Sequence, residues 1–136
     1  MGVHVRLRLG NETYALPVEH VLEVAELGEV TPVPGAQRAV LGVRNLRGQI
    51  LPIVDLASVF GIEGSGGPQR VLVAESDGHR AGFAIDEVSD IEQLPDTVDE
   101  TESDLLVGAT LTSDELVGVM DIARVFRQLE QEGAVL

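Results

Sequence analysis

The stretch Pro52-Ile53-Val54-Asp55-Leu56-Ala57-Ser58-Val59-Phe60 returns, loosely copied, as Gly118-Val119-Met120-Asp121-Ile122-Ala123-Arg124-Val125-Phe126. From Asp55 to Asp121 the shift is 66 positions, and Asp, Ala, Val and Phe recur in register. Each copy pairs a short apolar run with an Asp and a brief helical spacing that ends in Phe, the pattern of a strand running into one turn of helix. A second echo lies upstream: Val18-Glu19-His20-Val21-Leu22-Glu23-Val24, with Leu27 following, is matched by Ile85-Asp86-Glu87-Val88-Ser89-Asp90-Ile91, with Leu94 following, at a shift of 67. "Strand, Asp, helical turn" is common punctuation in β proteins, so one echo would carry little. Two echoes at nearly one offset predict two similar small lobes, from sequence halves of about 1–63 and 68–136, with a flexible Gly/Ser-rich join at Gly64-Ser65-Gly66-Gly67. The repeat leaves open whether each lobe is made only from its own half. A lobe of about 65 residues is marginal alone, so the pair is expected to share a hydrophobic interface.

The rest of the chain agrees with an all-β fold. From Val3 to Leu9, Val3, Val5, Leu7 and Leu9 alternate with His4, Arg6 and Arg8, the period of a half-buried strand, and Gly10-Asn11 turns it into Tyr14-Ala15-Leu16-Pro17-Val18. Another alternating unit spans Gln49 to Leu56, and Val71–Ala74, Ala81–Ile85 and Leu116–Met120 are short apolar runs bounded by turn residues. Helical spacing is confined to brief turns near Val18–Leu22, Leu56–Phe60 and Ile122–Leu129. Many short strands separated by turn signals predict a barrel or sandwich.

Composition narrows the function. The 136 residues suit one domain, and the formal net charge of −14 repels phosphate backbones and anionic lipid, so neither nucleic acid nor direct membrane insertion is expected. All nine basic residues are Arg, which removes P-loop and Schiff-base lysines, and the absence of Cys removes thiolate nucleophiles and Cys-ligated zinc. No apolar run approaches the roughly 20 residues of a spanning helix and no leader pattern opens the chain, so a cytoplasmic protein is expected.

No catalytic constellation stands out. His4, His20 and His79 lie apart, in no metal spacing; no serine sits in a GxSxG elbow; sugar-stacking aromatics are few. The acidic run Asp96–Asp104 lacks the turn Gly and bidentate Glu of a calcium loop and is expected to be a solvated, partly helical connector. No catalytic residue, metal or cofactor is assigned. The segment that draws attention is Gly42-Val43-Arg44-Asn45-Leu46-Arg47-Gly48-Gln49-Ile50-Leu51-Pro52. Gly42 and Gly48 permit backbone shapes closed to other residues, Asn45 can cap a turn, and Arg47 presents a rigid fork of donors in an acid-rich protein. The plainer alternative is that Arg47 pairs with a neighbouring carboxylate and does nothing else.

That segment resembles the CheW family of chemotaxis coupling proteins. The likeness runs through Tyr14-Ala15-Leu16-Pro17-Val18, Val21-Leu22-Glu23-Val24, Thr31-Pro32-Val33-Pro34-Gly35, the specific "N-L-R-G…P-x-x-D-L" stretch from Asn45 to Leu56, Gly82–Val88, and Val119-Met120-Asp121-Ile122, in order along nearly the whole chain. The resemblance implies two five-stranded SH3-like β-barrels packed over a shared hydrophobic core. It also implies a non-catalytic adaptor that bridges the cytoplasmic tip of chemoreceptors to the regulatory domain of a CheA-type histidine kinase, one lobe engaging the kinase and the groove between lobes taking the receptor's helical hairpin.

Carried over onto this sequence, Val21, Glu23, Arg47 and Ile50 are the implied receptor contacts, with Gly42, Asn45 and Gly48 shaping the turn that aims Arg47. No residue is assigned to the kinase. The second half is compressed between Glu92 and Leu116 relative to the family pattern, and the short ends favour a stand-alone coupler. The competing reading is a small acidic β-barrel enzyme or ligand-binding module, which would show a deep pocket with convergent carboxylates.

Overall fold

The computed structural model describes residues 2–62, 67–95, 99–101, 103–112 and 114–133. In chain order the elements are β1 (Gly2–Leu9), β2 (Glu12–Pro17), a 3-10 turn (Val18–His20), β3 (Val21–Glu26), β4 (Val40–Leu46), β5 (Gln49–Asp55), α1 (Leu56–Phe60), β6 (Arg70–Ser76), β7 (His79–Ile85), β8 (Glu87–Leu94), β9 (Leu106–Leu111), β10 (Leu116–Met120) and α2 (Ile122–Gln131). The brief helical spacings of the sequence become the 3-10 turn, α1 and α2. The Gly/Ser-rich join expected at 64–67 lies, apart from Gly67, outside the described residues. Of the acidic run, Asp99 is extended and bridges Ala109, so the connector is not helical there.

The ten strands form two five-stranded sheets, ordered β8-β1-β2-β10-β9 and β3-β6-β7-β5-β4, each curled as an SH3-like barrel. The first is called here the terminal lobe and the second the middle lobe. The sequence halves do not map one to one onto them. The first half is β1–β5 with α1, the second β6–β10 with α2, and each half gives two strands to one sheet and three to the other. Replacing each strand by its counterpart five places on converts one sheet order into the other, so the repeat is built by reciprocal exchange.

The duplication extends to backbone irregularities. β3 pairs with β6 through Val21↔Ala74 and then Glu23↔Val73, and β8 pairs with β1 through Val88↔Leu7 and then Asp90↔Arg6, the same slip at a shift of 67. Likewise Val40↔Val54 then Gly42↔Ile53 is repeated as Leu106↔Met120 then Gly108↔Val119 at a shift of 66. A bulge adds one residue and flips the facing of the strand beyond it. On one side of each slip the paired side chains Ala74, Leu7, Val54 and Met120 enter a core shared by both lobes; on the other, Val73, Ile53 and Val119 enter the interior of a single barrel. The bulge keeps its own strand in step with a partner whose ordinary alternation serves two cores.

The shared core holds Val5, Leu7, Leu9, Leu16, Val54, Leu56, Leu72, Phe83, Ile85, Met120, Val125, Phe126 and Leu129, with Phe83 edge-on to Phe126 at 5.6 Å between ring centroids. Its lining comes from strands of both lobes and from both helices, as expected for lobes too small to fold alone. α2 starts where the Asp121 carboxylate accepts the Arg124 N–H at 3.2 Å, and α1 stops at Gly61 in the left-handed region (φ 70°). Ahead of each helix the Asp N–H donates to an equivalent carbonyl, Asp55 to Ala39 at 2.7 Å and Asp121 to Leu105 at 2.9 Å.

Candidate functional site: the β4–β5 turn and the rim of the middle lobe

β4 and β5 are joined through Leu46↔Gln49, leaving Arg47 and Gly48 as a two-residue turn with φ of 53° and 83°. Positive φ at both central positions is the type I′ geometry whose twist matches a hairpin, and it favours Asn, Asp or Gly. The β6–β7 turn obeys the preference with Asp77-Gly78 (φ 51° and 81°). Arg47 does not. A long side chain in the left-handed region costs about 1–2 kcal/mol, and strain of this kind collects at functional sites.

The turn is braced locally and across the barrel. Asn45 Oδ1 accepts the Gly48 N–H at 2.9 Å, the capping expected of that Asn. The Arg47 guanidinium reaches β3, where Nε donates to Glu23 Oε2 at 3.1 Å and Oε1 at 3.3 Å. Arg47 remains 82% exposed, and among the described residues only Nε is engaged, so the two terminal nitrogens point into solvent. Glu23 is on the barrel face because of the bulge at Leu22, which turns Val21 the other way, half-buried against the shared core. Ile50, three residues past Arg47, is 68% exposed.

The structure thus brings Glu23 and Arg47 into contact, leaves Ile50 exposed on the other face of β5, paired with Asn45 of β4, and sets Val21 on the same strand as Glu23 facing inward. The plainer expectation for Arg47, a carboxylate partner, is met, but the pair occupies one edge of a mostly exposed guanidinium. Gly42 is not part of the turn. It sits in the β4 bulge with φ 151°, and a Cβ there would lie 2.1 Å from Thr31 O, so it is required where the Thr31–Pro32 strap crosses β4. Thr31 and Val43 exchange both backbone hydrogen bonds at 2.9 Å there. Gly48 has open space around it and is needed for its φ alone.

Two surfaces were not legible from the motif. A cleft of about 500 Å³ runs between the lobes, with Val24 of β3 on one side, Glu87 and Val88 of β8 on the other, and Arg70 and Asp86 at its floor. On the terminal lobe, Leu111 and Leu116 face each other across β9 and β10 at 75% and 61% exposure, with Val107 at 55%. For the hairpin the sequence signal is an apolar residue at each end of the β9–β10 connection, Leu111 and Leu116. Among the described residues no group of three or more His, Asp or Glu is placed to hold a metal ion, and no helix is long and apolar enough to cross a membrane. The enzyme or ligand-module reading finds no support.

The chain is thus a duplicated two-barrel protein with interchanged strands and an exposed Arg on the rim of one barrel. A family profile described as "CheW-like domain" matches residues 4–130, and the chain belongs to that family. It is 31% identical over 130 residues to a "Chemotaxis protein CheW" of Helicobacter pylori, covering 88% of this chain and 78% of that one, and 29% identical over 140 residues to one of Rhizobium meliloti, covering 96% and 90%. The crystal structure of the scaffolding protein TtCheW from Thermoanaerobacter tengcongensis superposes with a TM-score of 0.84 at 25% identity, over 92% of this chain and 87% of that one. The chain is a chemotaxis coupling adaptor by this membership.

Proposed function

We propose that the chain joins the cytoplasmic tip of a chemoreceptor to the regulatory domain of a CheA-type histidine kinase, in the cytoplasm and without catalysis of its own. The observation that carries the receptor half is Arg47, held in a strained turn, braced by Glu23 and Asn45, with free donors at the end of the hairpin that also exposes Ile50. An Arg fork clamps a carboxylate or helix-end carbonyls, Ile50 supplies apolar area, and the inter-lobe cleft bordered by Val24, on the same strand as Glu23, accepts a helical hairpin. Val21 contributes from beneath, by packing that keeps β3 in place. The Leu111–Leu116 pair with Val107 is the surface we assign to the kinase domain, since exposed apolar side chains clustered on one hairpin mark protein contacts.

The test is calorimetric titration of the full chain with a soluble receptor-tip hairpin and, separately, with the kinase regulatory domain. Arg47→Glu is expected to weaken the receptor titration at least about tenfold, a hot-spot loss, while leaving the kinase titration unchanged. Leu116→Asp is expected to do the reverse. Binding of neither partner by the wild-type chain would overturn the coupling role. A large fall in the melting temperature of Arg47→Glu would make Arg47 a structural ion-pair residue, because exposed changes ordinarily stay within about 0.5 kcal/mol.

A further inference from the structure

The interiors of the two barrels differ at equivalent positions. In the middle lobe the layer beneath the rim is apolar: Val71 and Val73 of β6, Leu51 and Ile53 of β5, and Ala25 of β3. At a shift of 67, His4 and Arg6 of β1 replace Val71 and Val73, and Glu92 of β8 replaces Ala25; at a shift of 66, Glu115 replaces Gln49. The wholly apolar part of the terminal barrel shrinks to Ala15, Leu94, Val117 and Val119.

These polar residues form one connected cluster. The Arg6 side chain is only 9% exposed; its Nη2 lies 2.7 Å from Glu92 Oε1 and its Nη1 donates to Glu115 Oε1 at 3.2 Å. Thr13 Oγ1 of β2 donates to Glu115 Oε2 at 2.8 Å, Arg8 Nη1 stands 3.9 Å from the same oxygen, and Asp114 lies 3.8 Å from Arg6 Nη1. The contacts are incompletely directed: Arg6 Nε and Glu92 Oε1 are buried without a well-aligned hydrogen-bond partner. Buried charges held this way stabilise less than close-packed apolar groups of the same volume. Arg6 is nevertheless the only side chain among these that touches both the edge strand β8 and the approach to β10.

We propose that Arg6, Glu92 and Glu115 form an electrostatic latch that closes the terminal barrel, and that this barrel's edge strands β8 and β9 open as a unit while the middle lobe stays folded. The latch substitutes a few ionic contacts for the apolar interior that holds β3 and β4, so the two lobes have unequal local stability despite one fold. β8 and β9 also carry the exposed Ile91, Val107 and Leu111, so the adjustable strands bear apolar surface. The inference concerns the chain alone and does not depend on which partners it joins.

The experiment is native-state hydrogen–deuterium exchange of the full chain read by mass spectrometry, with β3 and β4 as built-in controls because they occupy the same sheet positions. Ladder amides of β8 and β9 are expected to be protected about tenfold less than those of β3 and β4, a difference typical of sub-global opening. Equal protection overturns the proposal. The variant R6V/E92A/E115Q, which copies Val73, Ala25 and Gln49 of the middle lobe, is expected to close that gap; a gap that persists means the triad is not the latch. Should the triple variant fold poorly, Glu92→Gln decides: faster exchange in β8 with β3 unchanged supports the latch, and no change in β8, or an equal change in both, overturns it.

Discussion

The two lobes share topology, bulges and turn positions, yet the middle lobe fills its barrel with Val, Leu and Ile whereas the terminal lobe puts buried His4 and Arg6 at the equivalents of Val71 and Val73, with Arg6 paired to the half-buried Glu92 and Glu115. Backbone pairing and the shared core therefore suffice to specify the barrel twice, and the barrel interior is free to vary. The rims differ too: the middle lobe carries the Glu23–Arg47 ion pair beside its hairpin, with Ile50 exposed, and the terminal lobe carries Leu111 where the middle lobe has Asn45 and Leu116 where it has Ile50.

Exchanging the interiors tests this contrast most severely. Val73→Arg puts a guanidinium into the middle barrel, where Ala25 offers no carboxylate and Glu23, paired opposite on β3, is already engaged by Arg47; the poorly compensated buried charge is expected to cost about 3 kcal/mol in urea denaturation. A loss under about 1 kcal/mol would mean the middle barrel accepts charge as readily as the terminal one, erasing the distinction. Next comes the strap over β4. Gly42→Ala forces a Cβ against Thr31 O and is expected to cost about 2–3 kcal/mol by overpacking, whereas Gly48→Ala meets nothing and loses only about 1 kcal/mol from its positive φ. Equal losses at the two glycines would remove the argument that one answers to space and the other to conformation.

The smallest expected effect lies at the seam between the lobes. Tyr14, stacked 4.8 Å from Phe60, has its phenol pushed above the usual value of 10.0 by burial, with the Glu12 carboxylate that accepts its O–H at 2.5 Å adding to the shift. A group whose folded pKa is raised stabilises fully below the unfolded value and loses that contribution as pH climbs past it. Stability should therefore decline from about pH 10 upward, and Tyr14→Phe should flatten that alkaline slope without changing thermal stability near neutrality by more than about 1 kcal/mol. A slope unchanged in Tyr14→Phe would assign the alkaline loss to other groups.

The duplication was legible because the fold uses the same residues twice: Asp55 and Asp121 stand where a strand passes into a helix, and Phe60 and Phe126 lie at matching positions of α1 and α2. The exchange of strands was not, since a repeat in sequence says which segments are alike and nothing about which copy each will pair with. β8 was equally obscure. As an edge strand whose residues from Glu87 to Gln93 are exposed or half-buried, it shows little of the alternation that marks β1. Asn45, Arg47 and Gly48 stood out through turn chemistry, and the Glu23 partner came only with the family likeness. Gly42 was drawn into the turn by proximity in sequence, and its actual neighbour, the Thr31 strap, is a tertiary contact that no local pattern announces.

The crossovers between the lobes carry one more consequence. The chain passes from one barrel to the other through the three-residue turn Val18–His20 and, at the equivalent place, through Asp86 alone. Each is pinned to a matching carbonyl, the Asp86 N–H to Arg8 O at 3.1 Å and the His20 ring to Glu75 O at 3.1 Å. A joint with one short pin can swivel, but two pins set side by side and fastened at both ends cannot. The angle between the barrels is in that sense machined into the chain, as in a set square whose two arms keep one bearing.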